Sequence, residues 1–257
     1  MPMFAGVAAR FKVLEMFGIP VYVNPTFLFL LLLFVTDFGS FSFGLGAALM
    51  LAISIVAHEF AHALTGRAFG CATRDITLSI LGGCASMVQM PRKAGQEFLV
   101  ALAGPLMSFL LAGIGFAALL YLPIESEFLA SLLIYLMWMN VMLGAFNLLP
   151  GFPMDGGRIF RSVMRLFLSR ARATFVAMWV GRAFAILLAV RGVWAIFQGQ
   201  HGFLSLLIAW MIWQDGYREY LLAQMESNWG YDDCRAKVSP PPYGGEGDDC
   251  DIRKGDR

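Results

Sequence analysis

Long apolar runs dominate this sequence and constrain its fold more than any other feature. A helix needs about 20 consecutive apolar residues to cross the roughly 30 Å hydrocarbon core of a bilayer. The hydropathy pattern predicts about six such helices. They cover residues 22–37, 44–66, 98–121, 129–149, 173–196 and 202–216. With 58% hydrophobic and only 14% charged residues, the composition favours an all-α polytopic membrane protein, since about a quarter of the residues in soluble domains are charged.

Apart from Arg182 and Arg191 in the fifth predicted helix, lysine and arginine residues are confined to the termini and to alternate connections between the predicted helices. They lie before the first helix, between the second and third, between the fourth and fifth, and after the sixth. The other connections, "DFGSFSF", "LPIESE" and "QGQHGF", contain none. By the positive-inside rule both termini are expected in the cytoplasm, and the composition fits a prokaryotic inner membrane. The net charge of +1 gives no indication of nucleic-acid binding.

The connection between the second and third predicted helices contains two short runs rich in β-branched and apolar residues. These runs, "DITLSIL" and "ASMVQM", are separated by Gly82 and Gly83, a typical hairpin turn. The pattern predicts a small β-hairpin over residues 76–90. Because the runs are apolar, we expect the hairpin to dip into the cytoplasmic face of the membrane, buried against protein. An ordinary cytosolic hairpin is the alternative.

The last part of the sequence has a different composition. Residues 223–257 are rich in glycine, proline and aspartate, so we expect a disordered cytoplasmic tail after a single membrane domain of residues 1–222. "PPPY" at residues 240–243 has the form of a polyproline ligand, which would give the tail a cytosolic partner. A chance match in a proline-rich tail is the alternative.

Two histidines and a glutamate interrupt the second predicted helix. His58, Glu59 and His62 form the pattern HExxH. Residues i and i+4 share one helix face, so both imidazoles can bind one ion, and the glutamate can reach a water on that ion as a general base. The alternative is two histidines satisfied by hydrogen bonds in the core. Ionisable groups at membrane depth are costly and indicate function by default.

A catalytic zinc ion usually has three protein ligands and one open position. The only other segment that brings a carboxylate to membrane depth is 147–160, where prolines and glycines break the fourth helix near its cytoplasmic end. Asp155 follows this break and is the predicted third ligand. A turn or helix N-cap aspartate is the alternative. Structural zinc sites yield about 10–16 kcal/mol in peptides, which would offset the cost of burying these groups.

Four motifs together resemble the site-2 protease family of intramembrane zinc metalloproteases. They are HExxH in the second helix, "LGGCASM", "FLVALAGPLMSF" and "NLLPGFPMDGGR". The resemblance implies one Zn²⁺ per chain held by His58, His62 and Asp155, with Glu59 as the base. It implies that Asn147 positions the substrate or stabilises the oxyanion. We expect a compact form of the family, without the PDZ or CBS domains that some members carry.

The resemblance also implies a function and a partner. It indicates hydrolysis of peptide bonds within or near the transmembrane segments of a membrane-anchored protein substrate. A non-proteolytic metal-binding membrane protein or transporter is the main alternative. An enzyme of the same metal chemistry that acts on a lipid or a peptide terminus is another.

Two residues do not fit this interpretation completely. The family often has asparagine where this sequence has Ser108, so the polar contact at that position is open. Arg182 lies near the middle of the fifth predicted helix. It lines a water path or a gate, or it is a paired structural arginine, and the sequence does not separate these roles.

Overall fold

Helices form most of the structure. The computed structural model describes residues 10–37, 40–79, 82–87, 91, 93–199 and 202–228. The helices within them are α1 (Pro25–Asp37), α2 (Phe41–Ala68), α3 (Ala94–Tyr121), α4 (Glu127–Asn147), α5 (Asp155–Met164), α6 (Arg170–Phe197) and α7 (Phe203–Asn228). The strands are β1 (Phe11–Met16), β2 (Ile19–Val23), β3 (Thr73–Ser79) and β4 (Gly82–Met87). The segment 240–243 with the "PPPY" prediction lies outside the described residues.

Four of the described helices, α2, α3, α4 and α6, are long and apolar enough to cross a membrane. Their surfaces carry exposed large apolar side chains, such as Leu49 on α2, Leu110 on α3, Trp138 on α4 and Leu187 on α6. Apolar side chains in this number are suited to contact with lipid. The chain is therefore a multi-pass integral membrane protein.

The predicted count of six spans is not confirmed, because the first and last predicted helices differ from the other four. The helix α1 has 13 residues, which makes it about 20 Å long, since β2 takes the residues assigned to the start of the first span. The helix α7 has 26 residues but carries Asp215, Arg218 and Glu219 near its middle. It also extends beyond residue 222, where the tail is predicted to start.

The predicted hairpin is present, but it belongs to a larger sheet. Strands β3 and β4 pair antiparallel, with Ser79 opposite Gly82. The sheet has four strands in the order β1-β2-β3-β4, in which β2 and β3 run parallel. Phe17 and Gly18 between β1 and β2 both have positive φ, as a two-residue type I′ turn requires. The prediction of an all-α chain with one hairpin is thus wrong in part, because β1 and β2 extend the hairpin to a four-stranded sheet.

The sheet packs against α2 near the predicted histidines. Buried side chains of the strands, including Val21 and Ile76, form one cluster with Ile55, Phe60 and Ala63 of α2. Burying apolar surface of this kind contributes about 25 cal/mol per Å². The contact holds the strands beside the segment of α2 that carries the HExxH pattern.

The break after the fourth predicted helix is present as predicted, and a short helix follows it. The helix α4 ends at Asn147, and α5 begins at Asp155. The start of α5 packs tightly on the turn before it, because a Cβ atom at Gly156 would lie 2.2 Å from the carbonyl oxygen of Leu149. Only glycine permits this approach. Through this contact α5 packs beside α3 and α6.

Candidate metal centre

The three predicted ligands lie together in the protein interior. His58 Nε2 is 3.1 Å and His62 Nε2 is 3.0 Å from Asp155 Oδ2, and the two imidazole nitrogens are 3.2 Å apart. All three side chains are buried. The long helix α2 supplies both histidines from one face, while the first residue of α5 supplies the carboxylate. The Asp155 side chain does not cap α5, so the alternative of an N-cap aspartate does not hold.

The far nitrogen of each imidazole is held by α3. His62 Nδ1 lies 2.7 Å from the carbonyl oxygen of Val100. Because a carbonyl only accepts hydrogen bonds, this Nδ1 carries the proton, and the Nε2 of a neutral ring presents a lone pair. His58 Nδ1 lies 2.9 Å from Ser108 Oγ. Such partners fix the orientation of metal-binding histidines. Ser108 thus makes the polar contact that the sequence left open.

The arrangement of the three ligand atoms fits a metal ion. Two imidazole nitrogens and a carboxylate oxygen form a common donor set for catalytic zinc. With bonds of about 2.0–2.1 Å, ligands at the corners of a tetrahedron are about 3.3 Å apart, close to the distances observed here. Val100 and Ser108 bind the Nδ1 atoms of the histidines, and both Nε2 atoms point at Asp155 Oδ2. A shared cation at this point would be bound by all three side chains.

A glycine of α3 leaves space beside these nitrogens. A Cβ atom at Gly104 would lie 2.1 Å from His62 Nε2 and 2.6 Å from His58 Nε2. Both distances are far below van der Waals contact, so any larger residue would displace the two rings. Gly104 therefore leaves room for the ligand atoms and for an ion between them.

The predicted base lies beside the sheet. Glu59 is half-buried on α2, next to the ligand His58. Gly83 of β4 packs against it, and a Cβ atom at this position would lie 2.4 Å from Glu59 Cγ and 2.8 Å from Glu59 Oε1. The strand β4 thus limits the positions that the Glu59 side chain can adopt.

The structure does not bring Asn147 into hydrogen-bond contact with the three clustered residues. Asn147 is the last residue of α4 and is half-buried. Its Nδ2 atom donates to the carbonyl oxygen of Leu143, one turn earlier, at 3.0 Å. One of its two amide hydrogens is used in this way.

Sequence reasoning found the three clustered residues and missed part of what supports them. The Val100 contact uses a backbone carbonyl, which leaves no trace in the identity of the residue. Gly104 and Ser108 lie in "AGPLMS", which the motif comparison included without a structural role for either residue. One sequence signal could have indicated these residues. Intervals of four residues separate Val100, Gly104 and Ser108, which places all three on one helix face.

A second ionisable group lies in a membrane-length helix, away from this cluster. The guanidinium carbon of Arg182 on α6 lies 5.2 Å from the ring centre of Trp179, 4.5 Å from that of Trp213 and 5.8 Å from that of Tyr217. These distances are in the range of cation–π contacts. Within the described residues, Arg182 Nε is buried and has no hydrogen-bond partner. Rings of α6 and α7 therefore surround this cation.

Comparisons with known proteins agree with the cluster. A family model for peptidase family M50 matches residues 46–130 and 123–190. A zinc metalloprotease of Methanocaldococcus jannaschii is 30% identical over 190 residues, which is 71% of this chain and 53% of that protein. A Synechocystis protein that is named as a zinc metalloprotease is 32% identical over 223 residues, which is 79% of this chain and 58% of that protein. The chain thus spans a little over half the length of these two curated relatives.

A solved structure shares the fold. A site-2 protease from Methanocaldococcus jannaschii aligns with a TM-score of 0.61 at 26% sequence identity. The alignment covers 82% of this chain and 95% of that chain. The similarity therefore extends well beyond the cluster to most of the helices.

Proposed function

Because the chain belongs to peptidase family M50, the site-2 protease family, we propose that it is an intramembrane zinc metalloprotease. It would hydrolyse peptide bonds within or near the transmembrane segments of membrane-anchored proteins. The observation that carries this proposal is the convergence of His58 Nε2, His62 Nε2 and Asp155 Oδ2, of which two lie in a helix of membrane length. In this proposal the three residues bind one zinc ion per chain.

The residues around the proposed ion would divide the catalytic work. A zinc ion bound there would lower the pKa of a bound water and polarise the scissile carbonyl. Glu59 would accept the proton of that water and deliver it to the leaving amine. The packing of Gly83 on Glu59 supports this role, because a general base acts best from a restricted position.

Asn147 would assist as a hydrogen-bond donor. Its amide group has two N–H donors, and the contact with Leu143 uses one of them. The other would donate to the oxyanion of the tetrahedral intermediate, where a positioned donor typically contributes about 2.7–4 kcal/mol. Asn147 would turn toward the substrate only when the substrate is bound.

The strand β4 would hold the substrate. A helical substrate has its carbonyl groups in its own hydrogen bonds, so it must unwind locally before hydrolysis. The strand order places β4 at one edge of the sheet, and its Gly83 lies against Glu59. An unwound segment that paired with β4 would lie next to the base. Proline scanning of residues 84–87 tests this, since positions whose N–H points away from β3 should fold normally but lose cleavage.

We also propose an inner-membrane location with both termini in the cytoplasm. Lysine and arginine occur in alternate connections and are absent from the others, which supports this orientation. Protease accessibility of tags at the two termini in intact and opened cells tests it directly. Protection of both tags after only the outer membrane is opened supports the proposal. Digestion of either tag under that condition contradicts it.

Reconstitution of the purified chain tests the proposed activity. The substrate is a reporter with one membrane-spanning helix that contains glycine and proline residues. We expect wild type with about one zinc per chain to cleave it. Glu59→Gln should keep the zinc but lose activity by at least about 100-fold, while Asp155→Ala should lose zinc and activity together.

Other results would favour the alternatives. Equal cleavage by wild type and Glu59→Gln would exclude the chain as the source of the activity. Zinc binding with no cleavage of any membrane-anchored reporter would favour a metal-binding protein or transporter. A wild type without zinc would contradict the metal centre itself.

A further inference from the structure

Two of the most deeply buried charged residues in the described part of the chain lie outside the proposed catalytic chemistry. Glu97 in the first turn of α3 is 1% exposed, and Arg161 of α5 is 2% exposed. Arg161 Nε donates to Glu97 Oε1 at 2.7 Å, and Arg161 Nη2 lies 2.5 Å from the same oxygen. Arg165 Nη1 donates to Glu97 Oε2 at 2.5 Å. The two carboxylate oxygens of Glu97 are therefore bound by Arg161 of α5 and by Arg165, the residue that directly follows α5.

Arg161 also remains charged in this environment. Burial alone would lower the pKa of its guanidinium, but the carboxylates of Glu97 and Glu219 outweigh burial and raise that pKa. A buried ion pair with this many hydrogen bonds is geometrically specific, because a shift of either partner leaves a charge unpaired at a cost of several kcal/mol. The pair therefore fixes the distance between α3 and α5 more strictly than apolar contacts would.

The face of α3 that carries Glu97 is the face that orients the proposed ligands. Glu97, Val100, Gly104 and Ser108 follow one another at intervals of three or four residues, so they lie along one side of the helix. Val100 and Ser108 hold the two imidazoles, and Gly104 leaves space for their Nε2 atoms. The helix α3 thus contacts both histidines directly.

The helix α5 runs alongside this face, with its ligand at one end and its arginine at the other. Glu97 and Gly104 are seven residues apart on α3, and Asp155 and Arg161 are six residues apart on α5. At 1.5 Å per residue these separations are about 10.5 Å and about 9 Å. The matching lengths mean that the two helices, running antiparallel, meet at two points, the ligand cluster and the ion pair.

We propose that Glu97 and Arg161 are positioning residues that set the location of Asp155 relative to the two histidines. The inference rests on the proposed metal centre. The histidines are oriented by α3, and the ion pair fastens α5 to the same helix about two turns away. The pair thereby brings the third ligand within 3.0–3.1 Å of the imidazole nitrogens. The hydrogen-bond partners of this pair are Arg165 and Glu219, and neither is a proposed ligand.

The second carboxylate partner of Arg161 provides a matched control. Glu219 on α7 accepts a hydrogen bond from Arg161 Nη1 at 2.8 Å, and its side chain is 31% exposed. It joins α5 to α7, which carries none of the proposed ligands. Shortening Glu97 or Glu219 by one methylene group keeps every charge. Only the first change alters the connection between α3 and α5.

The test compares Glu97→Asp with Glu219→Asp in the full chain, purified in detergent. Zinc affinity is measured by competition with a chelator, and the visible absorption spectrum of the Co²⁺-loaded protein reports ligand geometry. We expect Glu97→Asp to weaken zinc binding by about 10–100-fold, as changes around metal ligands do, and to shift the Co²⁺ bands. Glu219→Asp should weaken zinc binding by less than about threefold and leave the spectrum unchanged.

A double variant separates positioning from stability. Glu97→Gln with Arg161→Met removes the buried ion pair, a change that often preserves or raises stability. The other partners of this pair are partly exposed, Arg165 by 14% and Glu219 by 31%, and the amide oxygen introduced at residue 97 can still accept a hydrogen bond from Arg165. We expect this variant to melt near the wild-type temperature but to show weakened zinc binding and an altered Co²⁺ spectrum. Wild-type affinity and spectrum in both Glu97→Asp and the double variant would overturn the inference. A wild type that binds no zinc would instead contradict the proposed metal centre.

Discussion

The ligand cluster and the Arg182 region both place ionisable side chains in membrane-length helices, but their surroundings differ. At the cluster, two imidazole nitrogens and a carboxylate oxygen converge within 3.2 Å, and α3 orients both rings. At Arg182, three aromatic rings surround a cation, with the closest ring centre 4.5 Å away. The first arrangement is suited to an added cation, and the second already contains one.

This difference shows how an ionisable residue in an apolar helix can be interpreted. A cation that lies against the negative faces of aromatic rings is stabilised by the fold itself. A group whose neighbours all offer lone pairs is satisfied only by something added. The cluster therefore indicates a binding site, whereas Arg182 indicates a structural contact between α6 and α7.

The largest effect is expected from filling the space beside the ligand nitrogens. Gly104→Ala would place a Cβ atom 2.1 Å from His62 Nε2, so the two rings must separate. We expect zinc content to fall from about one per chain to near zero, and cleavage activity to fall with it. Zinc analysis of the purified protein measures this change.

Gly113→Ala is the matched control for that substitution. Gly113 lies on the same helix, and a Cβ atom there meets no atom within 4 Å. This variant should keep its zinc, and it should be equally stable or more stable by up to about 1 kcal/mol, since alanine favours the helix. Full zinc content in Gly104→Ala would contradict the assigned geometry of the cluster.

A smaller effect is expected from loosening one imidazole. Ser108→Ala removes the hydroxyl that lies 2.9 Å from His58 Nδ1 but leaves all three ligands in place. We expect zinc affinity to fall by about tenfold, the lower end of the range for such partners, when measured by chelator competition. Thr174→Val serves as the control, because within the described residues its buried hydroxyl bonds to the backbone of its own helix alone. If the two variants bound zinc equally, Ser108 would not orient His58.

Features encoded locally could be predicted from the sequence. His58 and His62 lie one turn apart on a helix, so their spacing alone brings them together. The glycines and prolines before Asp155 indicate a break whatever the rest of the fold. The turn at Gly82 and Gly83 indicates a hairpin in the same way.

Features that depend on distant partners could not be predicted. The parallel pairing of β2 with β3 joins residues more than 50 positions apart, such as Val21 and Ile76. Glu97 and Arg161 look like ordinary charges in the connections between the predicted helices, and nothing local shows that each is almost fully buried against the other. In both cases the partner is chosen by tertiary packing, which overrides local preference.

The smallest effect, and the sharpest test of the comparison, concerns Arg182. The double-mutant cycle of Arg182→Met and Trp213→Leu isolates the coupling between the guanidinium and its nearest ring. We expect a coupling of about 1 kcal/mol in the free energy of unfolding, measured by denaturation in detergent. Zinc affinity should change by less than about twofold in all three variants, because Arg182 and Trp213 lie on α6 and α7, which carry none of the proposed ligands. A tenfold loss of zinc affinity in Arg182→Met would show that Arg182 is coupled to the metal centre. Zero coupling energy would show that Trp213 does not stabilise the guanidinium.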